Sequence, residues 1–148
     1  MEKRGAKEVL ESYGVKPSLQ RMAVMQYLLD HSTHPTVEEI YSQLYPVMPT
    51  LSKTTIYNTL KLLVEKKAAL MLTIDDRNTC FDGDVSLHTH FLCRKCGRVY
   101  DLPFTGDASA LMKQETGHKI EEMQIYYHGV CEECLKNEID STKTSNII

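Results

Sequence analysis

The stretch HTHFLCRKC, residues 88–96, decides the fold of the second half of this 148-residue chain. Together with the following GRVYDL, it alternates like two strands around a tight turn at Cys96 and Gly97. The same short segment holds two histidines and two cysteines. The sequence therefore predicts a β-hairpin whose turn carries thiols and whose first strand carries imidazoles.

A second Cys-x-x-Cys pair follows later in the chain, within GVCEEC. The spacing lets both thiolates of a pair reach one ion, and two pairs complete a tetrahedral shell. Buried free thiols would not explain the same spacing twice, and neither pair lies at the strand-to-helix turn of a thioredoxin-like βαβ unit. We therefore predict a closed structural zinc site formed by Cys93, Cys96, Cys131 and Cys134.

The composition is that of a globular chain with a hydrophobic core. Hydrophobic residues make up 42% of the chain, and no apolar run reaches the roughly 18 residues of a membrane span. The charged N-terminus does not resemble an export signal, so a cytoplasmic location is expected. The odd number of cysteines, five, argues against a disulfide framework. The net charge is −3, but the charge differs between the two halves of the chain. Residues 1–72 contain nine Lys/Arg and seven Asp/Glu, whereas residues 73–148 contain eight Lys/Arg and thirteen Asp/Glu. This distribution suggests that only the first half contacts a polyanion.

The first half has the pattern of short helices followed by a hairpin. Ser18, Thr36 and Ser52 each precede an apolar stripe at helical spacing and are predicted N-caps. The stripes consist of Met22, Met25, Leu28 and Leu29; of Val37, Ile40, Tyr41 and Leu44; and of Ile56, Leu60, Leu63 and Val64. In LMLTIDDRNTCF, two apolar segments flank the turn-rich DDRN. This order predicts a winged helix-turn-helix domain, and a small helical bundle with an incidental hairpin is the alternative.

The second half mixes strands and helices, so the fold class is α+β. DASALMKQETG is predicted to be a short helix ending at Gly117, and HKIEEMQIYYHGVC a strand that shares a sheet with the hairpin. CEECLKNEI is predicted to close the fold with a helical turn, followed by a loose polar tail. We predict a winged-helix domain at residues 1–83 and a small α/β domain at residues 84–148.

A second constellation combines imidazoles with carboxylates. His88 and His90 lie two apart on a strand, so both face one side, and Asp101 returns to them across the hairpin. Asp82 precedes this segment, and His34 lies before a helix of the first half. Such nitrogen and oxygen ligands suit Fe²⁺, Mn²⁺ or Zn²⁺. A structural or exposed role of the histidine pair, and an exposed loop position for His34, are the alternatives.

Four segments together resemble the ferric uptake regulator family of bacterial repressors: HPTVEEIY, LSKTTIYNTLKLL, HTHFLCRKCGRVYD and GVCEEC. The resemblance extends nearly over the whole chain, in the family's order. It implies a homodimer in which each subunit joins an N-terminal winged helix to a C-terminal α/β dimerisation domain. Within the family, the chain is most similar to the peroxide-sensing branch, because Asp82 precedes His88 at that branch's spacing. Cys80, where that branch often has arginine, is expected to be a buried small residue.

The resemblance implies a function and a set of site residues. Fe²⁺ or Mn²⁺ would hold the dimer in the form that binds an operator as a repressor. Peroxide reacting at Fe²⁺ would oxidise His34 or His88, release the metal and free the DNA. The regulatory ligands implied are His34, Asp82, His88, His90 and Asp101.

The helix SKTTIYNTLK is the expected DNA reader. Its exposed side chains would reach the major groove, and Arg21 stands at a family position that meets phosphate. The predicted DNA-contacting residues are Arg21, Lys53, Thr54, Thr55, Tyr57 and Asn58.

Three alternative functions make different demands on the sequence. Within the family, the chain could sense iron or zinc supply without peroxide chemistry. A metalloenzyme would need an open coordination position and a substrate pocket, which the sequence does not indicate. A structural zinc-ribbon adaptor would hold one zinc ion and no regulatory metal. We expect a regulator and not an enzyme, with a DNA operator as partner and peroxide as its single small-molecule reactant.

Overall fold

The computed structural model describes residues 4–75, 77–113 and 117–145. The chain divides into two compact units, Met1–Ser86 and Leu87–Ile148. Within the described residues, no helix has both the length and the apolar character needed to cross a membrane.

The first unit contains helices followed by a two-stranded wing. Ser18, Thr36 and Ser52 cap their helices as predicted, since each hydroxyl accepts a hydrogen bond from the backbone N–H three residues on. The two strands pair antiparallel, with Leu72 opposite Cys80. This confirms the winged helix-turn-helix fold. The elements are α1 (Ala6–Ser12), α2 (Leu19–Asp30), α3 (Val37–Leu44), α4 (Lys53–Glu65), β1 (Leu70–Leu72) and β2 (Cys80–Asp82).

The core of the first unit is formed by the predicted apolar stripes. One or more residues of each stripe are fully buried, and the wing adds Phe81, which is 1% exposed. The outer members of the stripes, such as Val37 and Val64, are only half-buried and flank the core. Cys80 is buried as expected. The buried stripe residues are Met25, Leu28, Ile40, Ile56, Leu60 and Leu63.

The second unit is built on a three-stranded sheet in the order β4-β3-β5. The predicted hairpin is present: β3 and β4 pair antiparallel, and Gly97 in their turn has φ 75°. The later strand joins β3 in parallel, which confirms the shared sheet. The elements are β3 (His88–Cys93), β4 (Val99–Pro103), α5 (Ala108–Met112), β5 (Tyr126–Gly129) and α6 (Glu132–Ser145).

Three element lengths in the second unit differ from the prediction. Helix α5 ends at Met112 and not near Gly117, because none of its residues is buried and packing therefore does not extend it; residues 114–116 lie outside the described part. The final strand covers Tyr126–Gly129 only. Helix α6 continues to Ser145, so the prediction of a loose tail is wrong for residues 140–145. Its first turn carries two glutamates, which favour a helix N-terminus, and no proline or glycine interrupts it.

Candidate metal centres and DNA-contact surface

The second unit brings the two Cys-x-x-Cys pairs together. One pair consists of the last residue of β3 and a residue of the following turn, and the other consists of the residue before α6 and a residue of its first turn. All four Sγ atoms lie within 4.8 Å of one another. The Sγ–Sγ distance is 3.7 Å between Cys93 and Cys134 and 3.8 Å between Cys96 and Cys131.

These distances fit a tetrahedral zinc shell. With zinc–sulfur bonds of about 2.3 Å, the edge of a tetrahedron of sulfur atoms is about 3.8 Å. Both measured separations match that edge. Each of them joins a cysteine of one Cys-x-x-Cys pair to a cysteine of the other pair, as a shared ion requires. Four thiolates also satisfy the full coordination number, so the site is closed and structural.

Backbone and side-chain donors surround the sulfur atoms. The amides of Cys96 and Cys131 donate to Cys93 Sγ at 3.4 and 3.3 Å, and these bonds lower the pKa of Cys93 to about 6. The hydroxyl of Tyr100 donates to Cys131 and lowers the pKa of that thiol. The pKa of Cys134 is raised to about 12, chiefly because its thiol donates to Cys131. A divalent cation would favour the thiolate form of all four.

Helix α6 is tied to the hairpin by ion pairs beside the sulfur cluster. Lys95, in the turn between the strands, pairs with Glu138. Arg98 lies 3.8 Å from Glu133 and places its guanidinium 5.8 Å from the ring centroid of Tyr100. Both ion pairs join residues between β3 and β4 to α6.

The first unit pairs one imidazole with one carboxylate. Nε2 of His34 lies 3.5 Å from Oδ2 of Asp82, and both side chains are buried. His34 has φ 56°, a left-handed conformation that costs a residue other than glycine about 1–3 kcal/mol. The carbonyl of Pro35 accepts a hydrogen bond from the amide of Phe81 at 3.0 Å, which holds the His34 loop against β2. The alternative of an exposed His34 is therefore wrong.

The second unit pairs two imidazoles with one carboxylate. Nε2 of His88 and Nε2 of His90 each lie 3.3 Å from Oδ1 of Asp101. The β3–β4 register places His90 directly opposite Asp101, and the two imidazole rings lie 4.4 Å apart. The His90 side chain is 4% exposed, so the alternative of a solvent-exposed pair is wrong.

Each unit thus assembles its own share of the predicted regulatory ligands. A carboxylate beside imidazoles offers hard oxygen and intermediate nitrogen donors, which suit Fe²⁺, Mn²⁺ or Zn²⁺. The donor sets fit such an ion, and they differ in softness from the sulfur cluster. The two kinds of site can therefore select different metals.

The predicted DNA-reading helix presents an exposed polar face. Lys53, Thr54, Tyr57 and Asn58 of α4 are exposed, and Thr55 is half-buried. The Thr55 hydroxyl lies 2.9 Å from the capping hydroxyl of Ser52. The cap is thus Ser52, so Thr54 is not needed for capping.

Arg21 is half-buried at the first turn of α2. Its guanidinium donates to the carbonyl of Lys16 at 2.9 Å. A guanidinium has further N–H donors, so this bond is compatible with a phosphate contact.

Two contacts at these sites were not predicted from the sequence. Glu38 of α3 pairs with Lys53 of α4 at 2.6 Å, and Tyr100 donates to Cys131. The helical stripe of α3 does place Glu38 on its exposed side. The Glu38–Lys53 contact depends on how α3 crosses α4, and the spacing of apolar residues in the sequence does not indicate that crossing.

The fold and the sites define a class: a winged helix followed by an α/β unit with a Cys₄ zinc-type cluster. The model of the ferric uptake regulator family matches residues 12–128. The chain belongs to the ferric uptake regulator family.

Two relatives that are named for peroxide regulation are similar to most of this chain. The chain is 34% identical over 139 residues to the peroxide operon regulator of Bacillus subtilis strain 168, covering 93% of this chain and 96% of the relative. It is 35% identical over 127 residues to the peroxide-responsive repressor PerR of Staphylococcus epidermidis, covering 84% and 85%. This similarity agrees with the resemblance to the peroxide-sensing branch.

Solved structures share the fold. The ferric uptake regulator Fur of Helicobacter pylori matches with a TM-score of 0.67 at 19% identity, covering 91% of this chain and 97% of that one. A zinc uptake regulator complexed with zinc and DNA matches with a TM-score of 0.68 at 19% identity, covering 90% and 93%.

Proposed function

We propose that the chain is a metal-dependent, dimeric transcriptional repressor that responds to peroxide. The observation that carries the proposal is the contact of one carboxylate oxygen, Asp101 Oδ1, with the Nε2 atoms of both His88 and His90. This arrangement is a partly assembled nitrogen–oxygen metal site. Two curated relatives that match most of the chain are named for peroxide regulation.

We propose that a single regulatory ion takes ligands from both units. His34 and Asp82 would supply the first unit's share, and His88, His90 and Asp101 that of the second. An ion shared in this way favours one arrangement of the units by its differential binding energy, and it thereby couples metal occupancy to DNA affinity. The imidazoles must be neutral to offer a lone pair, so the ion binds more weakly as the pH falls.

The chain's residues have separate tasks in this proposal. The sulfur cluster holds a permanent zinc ion that stabilises the second unit. Fe²⁺, when bound at the regulatory ligands, supplies the reducing equivalents for peroxide chemistry beside an imidazole. His34 and His88 are the residues that we expect to be oxidised, and an oxidised imidazole is a poorer ligand. The chain is thus proposed as a regulator, not an enzyme, because it modifies its own side chain and no separate substrate.

DNA recognition is assigned to α4 and its surroundings. The N-terminal half of a recognition helix enters the major groove. Tyr57 and Asn58 would contact base edges or phosphate there, with Thr54 and Thr55 beside them, and Lys53 and Arg21 would contact phosphates. Two such helices in a homodimer would read two half-sites. Because its proposed partner is the operator DNA, we place the protein in the cytoplasm.

Treatment of the Fe²⁺-loaded protein with hydrogen peroxide is expected to add one oxygen atom to His34 or His88. The zinc- and Mn²⁺-loaded protein is the control and should not gain oxygen on histidine, because Mn²⁺ supports this chemistry less readily. Peptide fragmentation must localise the added mass, since seven methionines can also gain oxygen. If DNA binding requires Fe²⁺ but no histidine is modified, the chain senses metal supply and not peroxide.

A further inference from the structure

An ion pair lies at the start of the proposed recognition helix. Lys53 is the first residue of α4, and its Nζ lies 2.6 Å from Oε2 of Glu38 in the first turn of α3. Nζ also lies 5.1 Å from the ring centroid of Tyr41, within the range of a cation–π contact. The Lys53 ammonium is therefore held by two groups of α3.

The pair is open to solvent and hence to DNA. The Lys53 side chain is 50% exposed and that of Glu38 is 71% exposed. Lys53 is unfavourably placed with respect to the dipole of α4, whose N-terminus is positive, whereas Glu38 is favourably placed at the N-terminus of α3. A nearby anion is thus what stabilises Lys53 at this position, and a DNA phosphate could replace Glu38 in that role.

Glu38 also faces the space between the proposed recognition helix and the wing. A cleft of about 250 Å³ is lined by Glu38, by Tyr57 of α4, and by Arg77 and Asn78 of the loop between β1 and β2. A carboxylate in this cleft adds negative charge to a surface that otherwise offers cationic and polar groups to DNA. DNA that takes Lys53 from Glu38 leaves this carboxylate without its counter-charge, close to the phosphates.

We propose that Glu38 determines DNA specificity by competing with phosphate for Lys53. This inference rests on the proposed function of DNA binding. Binding to non-cognate DNA is almost entirely ionic. The cost of breaking the Lys53–Glu38 contact therefore offsets a large share of the favourable free energy of that binding. Binding to the operator also includes contacts to base edges, which Glu38 does not oppose. Glu38 therefore weakens non-cognate binding proportionally more than operator binding.

The test compares Glu38→Gln with Glu39→Gln. Glu39 is the next residue of the same helix turn and is exposed, so both variants remove one negative charge near the same dipole. Each is measured alone and with Lys53→Ala, on metal-loaded full-length protein. The probes are a duplex selected by the wild-type protein from a random pool and a scrambled duplex of equal length and composition. Fluorescence anisotropy over a range of salt concentrations gives affinity and salt slope, and thermal unfolding confirms that each variant is folded.

Glu38→Gln is expected to raise affinity for the scrambled duplex about fivefold, the effect of one close pair of exposed charges in water. Affinity for the selected duplex should rise less, and the salt dependence on the scrambled duplex should steepen by about one counterion. Glu39→Gln should change neither the affinity for the scrambled duplex nor its salt dependence. Lys53→Ala should remove the effect of Glu38→Gln.

Two results would overturn the inference while leaving the proposed function intact. One is equal behaviour of the Glu38 and Glu39 variants. The other is weaker binding of the selected duplex by Glu38→Gln, which would mean that Glu38 orients Lys53 productively. If the metal-loaded wild-type protein selects no duplex, the proposed function itself fails.

Discussion

Replacement of Cys131 by serine is expected to abolish zinc binding and to unfold the second unit. A structural zinc ion contributes about 10–16 kcal/mol of apparent binding free energy, which is comparable with or larger than the total stability of an ordinary domain, about 5–15 kcal/mol. Cys131 is central to the cluster, because its sulfur contacts Cys96 Sγ and accepts from Tyr100. Serine retains the backbone amide that donates to Cys93, so the effect reports the loss of a thiolate ligand.

Metal analysis and hydrogen exchange measure this effect. The zinc content should fall from one ion per chain towards zero, and the amides of β3, β4 and β5 should lose protection while those of α2 and α4 keep theirs. Cys80→Ala is the matched control. Cys80 is buried and does not belong to the sulfur cluster, so it should not bind the ion. Its substitution should leave the zinc content unchanged. Full zinc content in Cys131→Ser would contradict the tetrahedral assignment.

Substitution of Asp101 by asparagine is expected to lower affinity for the regulatory ion at least about 100-fold, because loss of a supporting carboxylate alone costs 10–100-fold at metal sites. Asp101 contacts both imidazoles of the second unit, so asparagine removes a charged ligand and a partner of two others. Operator binding should then require correspondingly more Mn²⁺. The fold should persist, because Asp101 lies on edge strand β4 with its side chain 36% exposed.

Equilibrium dialysis with Mn²⁺, followed by DNA titration, measures both consequences. Asp84→Asn is the matched control, because Asp84 is an exposed aspartate close in sequence to the predicted ligands and accepts a hydrogen bond from the amide of Ser86. That variant should bind Mn²⁺ like the wild type. Equal Mn²⁺ affinity of the Asp101 and Asp84 variants would remove Asp101 from the ligand set, whereas rescue of Asp101→Asn by excess Mn²⁺ would confirm that its defect is metal binding.

Local chemistry in the sequence was enough to predict much of the fold. Ser18, Thr36 and Ser52 cap helices because their hydroxyls meet free amides three residues on, and this pattern is visible in the sequence. The turn at Gly97 fixes the hairpin register, and the register places Asp101 opposite His90. The doubled Cys-x-x-Cys spacing likewise reports a cluster, because few other arrangements require it.

Features that depend on tertiary packing were not predictable in the same way. Helix α5 is shorter than its composition suggests and α6 is longer, because packing and not intrinsic propensity determines where marginal helices end. The Lys53–Glu38 pair depends on the crossing of α3 and α4, and the Tyr100 contact on the position of α6 relative to β4. Neither arrangement leaves a periodic signal in the sequence.

Operator binding by the zinc-loaded protein, measured by anisotropy with no further metal, with Mn²⁺ and with Fe²⁺, tests the regulatory site most directly. We predict tight binding only when Mn²⁺ or Fe²⁺ is added, and loss of binding after hydrogen peroxide in the Fe²⁺ form but not in the Mn²⁺ form. Equally tight binding by the protein that carries zinc alone in its sulfur cluster would contradict the account, because the imidazole and carboxylate ligands would then have no part in DNA recognition.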